Sequence, residues 1–480
     1  NIDFVNDSST ASAAKNVTVL VAGNGLTSAD TVSGINVFEA GGNVQFAGTS
    51  IAAQNVTTVA ADGSITVSDG TNSLVFQSDS LLPVELLGVN VNATSKIISL
   101  SVRGIVPAWT LNTNQERLID SISNAPSGTV AKDLRTFIGS QSDPLRSINQ
   151  ALPALNSALF QISQRNVVRF NRSNYDRLRF LNDNRPKRYM DILLGQSDPC
   201  SSAGCSSGFN AWFEGFGDFL QQDDTALIQG YRANIGGFHL GLDKRISRSW
   251  IAGLGFSGSY ADMKTNDRLQ NGTLDQSLIT AYGSFTTDDD WTFSASAGYS
   301  YNNYEIERNI VNFANLQSRH HANQWFTAFE VAKKLRFDSF DVQSYFAFDY
   351  IGIDENAYNE KTGGQLMSTV HDNQNDSYLQ TIGVRLGRTV RLENGGIINP
   401  ALNLGWVYDY GKGNVFTAAR YTGGNTFTII GNPVAKNRLR IGTSLDAKVR
   451  HNITIFGRYD GELSNNFTAH IGQAGINITF

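Results

Sequence analysis

Arg165, Arg169, Arg172 and Arg179 recur at intervals that place them largely on one side of a helix. Guanidinium groups so arranged break no bonds, but they pair strongly with carboxylates through charge-assisted hydrogen bonds. The carboxylates on offer lie further along, at Glu214, Asp218, Asp243, Asp341, Asp349, Asp409, Asp446 and Asp460, within runs of period-two alternation. Arg385, Arg440 and Arg458 share those positions, and the excess is acidic. A solvated helix face is the plainer account of the arginine stripe. Other reactive constellations are scarce. Cys200 and Cys205, in the stretch Asp-Pro-Cys-Ser-Ser-Ala-Gly-Cys-Ser-Ser, suit a short disulfide loop in an oxidising compartment, with two unbonded thiols as the alternative. A zinc site would need further ligands, and the histidines offer no matching pair beyond the adjacent His320-His321. Residues 1–108 contain no histidine, no Gly-x-Ser-x-Gly and no His-Glu-x-x-His, so no catalytic set, metal or cofactor is expected there.

Composition narrows the setting in which those charges act. The chain is 41% hydrophobic with mean hydropathy −0.22, and it has no run approaching the ~18 apolar residues of a membrane-crossing helix. Its 45 Gly, 28 Phe and 16 Tyr against 9 Pro and 3 Met favour strands and turns. A net charge of −5 gives no electrostatic footprint for nucleic acid, which is not expected as a partner. The sequence opens at Asn1 without an initiator Met, a basic n-region or an apolar h-region. A signal peptide already removed and a trimmed fragment both fit that start.

The elements that must position the charges fall into three stretches. Residues 1–108 read as short strands broken by Gly, Asn, Asp and Ser, with Asn-Val pairs at Asn16, Asn36 and Asn55. Such recurrence suits the stacked coils of a β-solenoid, although Asn43 and Asn90 fall off register and a sandwich or loose stalk fits nearly as well. Residues 109–208 change to helical spacing at Leu118, Ile119 and Ile122, at Leu134, Phe137 and Ile138, and from Ile148 to Ile162. Pro126, Pro144 and Pro153 divide this linker, leaving a proline-free helix over about residues 155–181 that carries the arginines.

From residue 209 to 480 the period becomes two. In Trp250 to Tyr260 the even positions are apolar apart from Gly258, and most odd ones are Gly or Ser. The same split recurs from Trp291 to Tyr301 and from Ile398 to Tyr410. Long segments with aromatic ends and an aliphatic middle match the lipid-facing band and girdles of a membrane barrel. Starts near Phe209, Gln229, Trp250, Thr273, Trp291, Arg319, Phe340, Tyr378, Ile397, Val434, Asn452 and Phe467 imply about twelve strands. Long polar loops are expected around Asp223, Asn266, Val311, Lys361 and Gly423. Tight turns are expected at Ile246-Ser247-Arg248, Asp288-Asp289-Asp290, Asp338-Ser339 and Glu393-Asn394-Gly395. If the apolar face meets lipid, the acidic set lines the lumen and the arginine helix has its partners there.

Several motifs now fall into order. Thr110-Leu-Asn-Thr-Asn114-Gln115 runs through Ile119-Asp120, and Leu152-Pro153 precedes Ala158-Leu159. Trp212 leads to Phe216-Gly217, and Gly230-Tyr231 leads through Gly236-Gly237 to Gly241-Leu242-Asp243. Ile476, Ile478 and Phe480 close the chain. From about Leu100 onward this resembles the linker and translocator domain of type V autotransporters. The resemblance implies an all-β fold: a transmembrane antiparallel barrel with an α-helix in its lumen, following a short β-rich stalk. It also implies a bacterial outer-membrane location with the N-terminal passenger at the cell surface, of adhesin or display type. The implied partners are outer-membrane lipid and lipopolysaccharide, periplasmic chaperones and the barrel-assembly machinery, which would read Ile476, Ile478 and Phe480; the implied state is a monomer. A porin or receptor with an N-terminal plug is the alternative. Members that cut their own pore helix carry an Asn-Asn pair there. Here Asn166, Asn171 and Asn174 are isolated, so self-cleavage is not expected.

Overall fold

A computed structural model describes residues 111–183 and 209–480 apart from 393–396, 412–414, 433–434 and 451, together with the strands and a few turn residues between 2 and 104. The expected disulfide at Cys200 and Cys205 and the expected turn at Glu393-Asn394-Gly395 lie outside the described residues. The chain forms two compact units, residues 1–151 with 420–427 and residues 152–419 with 428–480.

In the first unit, Ile2–Asp7, Asn16–Val21, Ser73–Ser78 and Ile65–Ser68 form one sheet in that order, and Thr31–Glu39, Ile97–Gly104, Val84–Asn92 and Gln54–Val56 form another. Asn16–Val21 and Ser73–Ser78 pair in parallel, while the other ladders of these two sheets are antiparallel. A solenoid would stack its coils in parallel at a constant offset, whereas most ladders among the described strands here are antiparallel. Ile65, Val67 and Phe76 of the first sheet and Leu86 and Val89 of the second are buried.

Three short helices follow. Helix α1 (Thr113–Ser123) starts with a capping box: Asn112 Oδ1 accepts from the Gln115 amide at 3.0 Å, and Gln115 Oε1 accepts from the Asn112 amide at 2.8 Å. Helix α2 (Val130–Ser140) is capped by Thr129, and α3 (Pro144–Ala151) opens on a proline, whose missing N–H is no loss in a first turn. Their spacing brings Leu118, Ile119, Ile122, Leu134, Ile138 and Ile148 together, all fully buried.

The second unit is a closed antiparallel barrel of twelve strands. In order these are Phe209–Gln222, Tyr231–Arg245, Trp250–Thr265, Gln270–Thr286, Trp291–Ile310, Ala314–Arg336, Asp341–Glu355, Asn373–Gly387, Ile397–Asp409, Asn437–Arg450, Ile453–Ser464 and Phe467–Thr479. Closure comes from the first and last strands, paired from Asn210↔Thr479 to Gln222↔Phe467. Every strand side chain alternates between lumen and exterior. Leu240, Leu254, Ile279, Ile382, Leu404, Ile441 and Ile455 are exposed outward, with Phe209, Trp250, Trp291 and Phe340 toward one rim and Tyr260, Trp325, Tyr378 and Tyr410 toward the other. That is the apolar band and aromatic girdles of a lipid-facing wall.

The two rims differ. One carries residues 246–249, 287–290 and 337–340 as tight turns; the other carries residues 223–230 and the two segments 356–372 and 410–436, each with its own hairpin. The loops expected around Asn266 and Val311 are short. The fifth and sixth strands run for 20 and 23 residues, well past the ~10 that cross a bilayer, so their polar residues are carried by the ladder itself. Through the lumen runs helix α4, Leu155–Asp183, 29 residues and about 43 Å long.

Candidate functional site

The lumen has room for a helix because its aromatic side chains lie along the wall. Trp212 lies over Gly241 and Tyr282 over Gly253, where a Cβ would stand 2.6 Å from the ring in each case. Trp212 Nε1 donates to the Tyr282 hydroxyl at 2.8 Å, which ties the two rings together. Gly255 leaves space for the helix itself, since a Cβ there would meet Phe170 at 2.9 Å. Val167, Phe170, Tyr175 and Leu178 of α4 join Ile251, Leu278, Phe326 and Val407 of the wall in one buried cluster.

Charge does the rest. Arg165 donates from Nε to Asp218 at 2.8 Å and from Nη1 to Glu462 at 2.6 Å. Arg169 is 3.6 Å from Asp218, and its guanidinium sits 3.8 Å from the centre of the Phe216 ring. Arg172 bonds the other oxygen of Glu462. Arg177 grips Asp243 with two bonds of 2.8 and 3.2 Å, a carboxylate that also accepts from Asn210 and Tyr282. Arg179 reaches Glu330 and, within the helix, Asp176 at 2.7 Å. Asp176 in turn lies 3.6 Å from Arg458 and 3.8 Å from Arg385 of the wall. Neutral groups fill the gaps, with Ser173 on Glu214 at 2.8 Å and Asn171 on Asp349 at 2.9 Å. Glu214 also accepts from Arg458 and Gln473 and meets His239 at 3.0 Å. The space left beside Arg165, Arg169 and Arg172 is about 40 Å³, room for a few water molecules.

All four arginines of the expected stripe therefore meet wall carboxylates, Arg165, Arg169 and Arg172 through Asp218 and Glu462 and Arg179 through Glu330. Among the carboxylates named from the sequence, Asp218 and Asp243 pair with helix arginines, and Glu214 and Asp349 meet helix Ser and Asn. Asp409 and Asp460 bond away from the helix. Asp409 sits at the end of its strand and accepts from the Gly411 amide at 2.8 Å, and Asp460 is held within the wall by Arg440 at 2.9 Å. Asp341 pairs with Lys334 near the turn rim. Glu462, Glu330 and Arg177 were missed. Glu462 shares the inward parity of Arg458 and Asp460, and Glu330 that of Phe326, so alternation carried a signal for both; Arg177 lies off the stripe. Asn174 is fully buried, and its amide has no hydrogen-bond partner among the described residues. Ile476 and Ile478 lie on the outward face of the last strand, and the exposed Phe480 follows its end. Ile476 is opposite Phe213 and Ile478 opposite Ala211, and the Phe480 amide bonds the Phe209 carbonyl at 3.0 Å.

The helix has a defined polarity. Near its start Asn156 donates to the Tyr358 hydroxyl at 2.6 Å, on the hairpin of the loop rim. Near its end Lys334 bonds Asp183 and Arg245 bonds the Leu181 carbonyl, each at 2.6 Å and both from the turn rim.

A family model described as the autotransporter beta-domain matches residues 211–460, more than half of the chain. The chain belongs to that family. An autotransporter β-domain is an outer-membrane translocator, so the barrel is transport machinery. No curated protein matches the sequence. Among solved structures, the chain is similar to the translocator domain of autotransporter NalP from Neisseria meningitidis. They are 13% identical with a TM-score of 0.49, over 68% of this chain and 98% of that one. It is also similar to the β-domain of the Bordetella autotransporter BrkA, at 16% identity and TM-score 0.47 over 57% and 100%. The transport unit of autotransporter AIDA-I from Escherichia coli is 12% identical, with TM-score 0.36 over 60% and 94%.

Proposed function

We propose that this translocator exports and anchors its own N-terminal segment, which it displays at the cell surface as a passenger of adhesin type. The observation that carries the reading is the direction of α4. Long loops face outward and short turns face the periplasm in outer-membrane barrels, so a helix that starts at the loop rim delivers everything before it to the outside. The arginine–carboxylate pairs then hold the helix as a plug after export, because each buried charge left without its partner would be strongly unfavourable. Outer-membrane lipid and lipopolysaccharide surround the barrel, periplasmic chaperones deliver it, and the assembly machinery reads Ile476, Ile478 and Phe480. The protein acts as a monomer.

Protease shaving of intact cells tests the direction. Residues 1–108 should be cut from outside while the barrel stays in the membrane; cleavage that requires permeabilised cells would sink the reading.

A further inference from the structure

The space of about 40 Å³ beside α4 has an unbalanced border. Four guanidinium groups reach it, from Arg165, Arg169 and Arg172 on the helix and Arg438 on the tenth strand, against one bordering carboxylate, Glu462. Asp218, paired with Arg165 and Arg169, is a second acid close by. Asp409 acts on Arg438 as a third but does not border the space. Glu214 acts on Arg169 as well, yet it is engaged by Arg458 and His239, each at 3.0 Å. Positive charge stays in excess. Donors are left over too. Arg169 is 3% exposed, and neither its Nε nor its Nη1 has a hydrogen-bond partner among the described residues. The nearest acid to Nη1, Asp218, stands at 3.6 Å, too far for a good hydrogen bond. The same lack holds for Arg165 Nη2, Arg438 Nε and Gln164 Nε2, the last on a side chain 3% exposed. Leu220, Leu379 and Ile471 close the border with apolar groups, and their low polarity strengthens any electrostatic attraction there.

We propose that this space is a binding site for one small monovalent anion, a halide such as chloride, held between Arg169 and Gln164 of the helix and Arg438 of the wall. A water molecule accepts from two donors at most and leaves the excess charge in place, and a buried charge without a counter-charge is strongly unfavourable. A monatomic anion accepts from several donors at once and cancels one unit of charge. Volume sets the upper limit. Where a single water needs about 10–15 Å³, the 40 Å³ here takes a halide with accompanying water and excludes an organic acid such as gluconate. The anion joins helix to wall at a place where both present cations, since Arg438 is repelled by Arg165 and Arg172. The plug is therefore held partly by a ligand that comes from solution.

Two measurements on the full-length protein, refolded in detergent, test the site. The first compares hydrogen exchange along residues 160–175 in sodium chloride and in sodium gluconate at equal ionic strength. Wild-type exchange should be slower in chloride, by about tenfold once chloride is near ten times its dissociation constant, and in Arg438→Gln the two salts should give one rate. The second is a crystal grown in sodium bromide, whose anomalous map should show a peak beside Arg169 and Arg438. Wild-type exchange that is the same in both salts overturns the site, as does a bromide map without that peak. Slowing by chloride that persists unchanged in Arg438→Gln is a general salt effect and overturns it likewise. Should Arg438→Gln fail to assemble, the bromide map of the wild-type protein decides alone. Neither readout depends on the direction of export.

Discussion

In α1, α2 and α3, Leu118, Ile122, Leu134, Ile138 and Ile148 meet across a small apolar core, whereas α4 has Arg165, Arg172, Arg177 and Arg179 reaching partners on several sides of one long rod. Both stretches lie in the same linker and both are helical. The first folds by removing an apolar stripe from water. The second carries no single apolar stripe, and arginines on more than one side of a helix ordinarily mean exposure to solvent. Here they mean enclosure, because the surrounding wall is a closed tube with carboxylates facing inward at several heights. A polar helix is specified by its container as much as by itself.

The sharpest way to break this contrast is to reverse the charges. Replacing Arg165, Arg169 and Arg172 together with Glu sets like charges against Asp218 and Glu462 inside a confined pore, and the helix should be expelled. Planar-bilayer conductance should rise to the level of a protein lacking residues 155–181, while removal of residues 1–108 leaves it low. If deleting the helix changes nothing, the plug assignment fails. A smaller effect is expected from Glu462→Gln, which strips the shared partner from Arg165 and Arg172. Breaking a buried pair from one side costs about 3–5 kcal/mol, and faster hydrogen exchange along residues 160–175 would report it. Leu134→Ala should cost α2 about 2–5 kcal/mol of packing, seen as exchange confined to residues 113–151 with conductance unaltered. A conductance change in that variant would blur the distinction. Least of all should follow from Asp460→Asn, since Asp460 answers to Arg440 in the wall; helix exchange should stay near wild type.

Much of this molecule was legible from alternation. The twelve strand starts, the lipid-facing aromatics and the inward set containing Asp218, Asp243 and Asp349 all follow from a period of two, which fixes the side each residue faces. The helix at 155–181 followed from its spacing and from Pro153. Less legible were the strand extensions beside Asn266 and Val311, where polar residues look the same in a loop and in a ladder that has left the membrane. The pairing in residues 1–108 was not legible either, because the Asn-Val recurrence suits coils and hairpins alike and register depends on neighbours far away in sequence.

Sequence by itself determined which residues face the lumen and which face lipid, and it placed a cationic helix immediately before a barrel with an acidic interior. Only tertiary structure decided who pairs with whom. Strand tilt and stagger set the height of each wall residue, so Glu462 meets two arginines while Asp460, two positions earlier on the same face, meets none on the helix. The same closure explains Arg177. On a free helix it lies off the stripe and would face water, but in a tube every face of the helix has a wall, and Asp243 is waiting there.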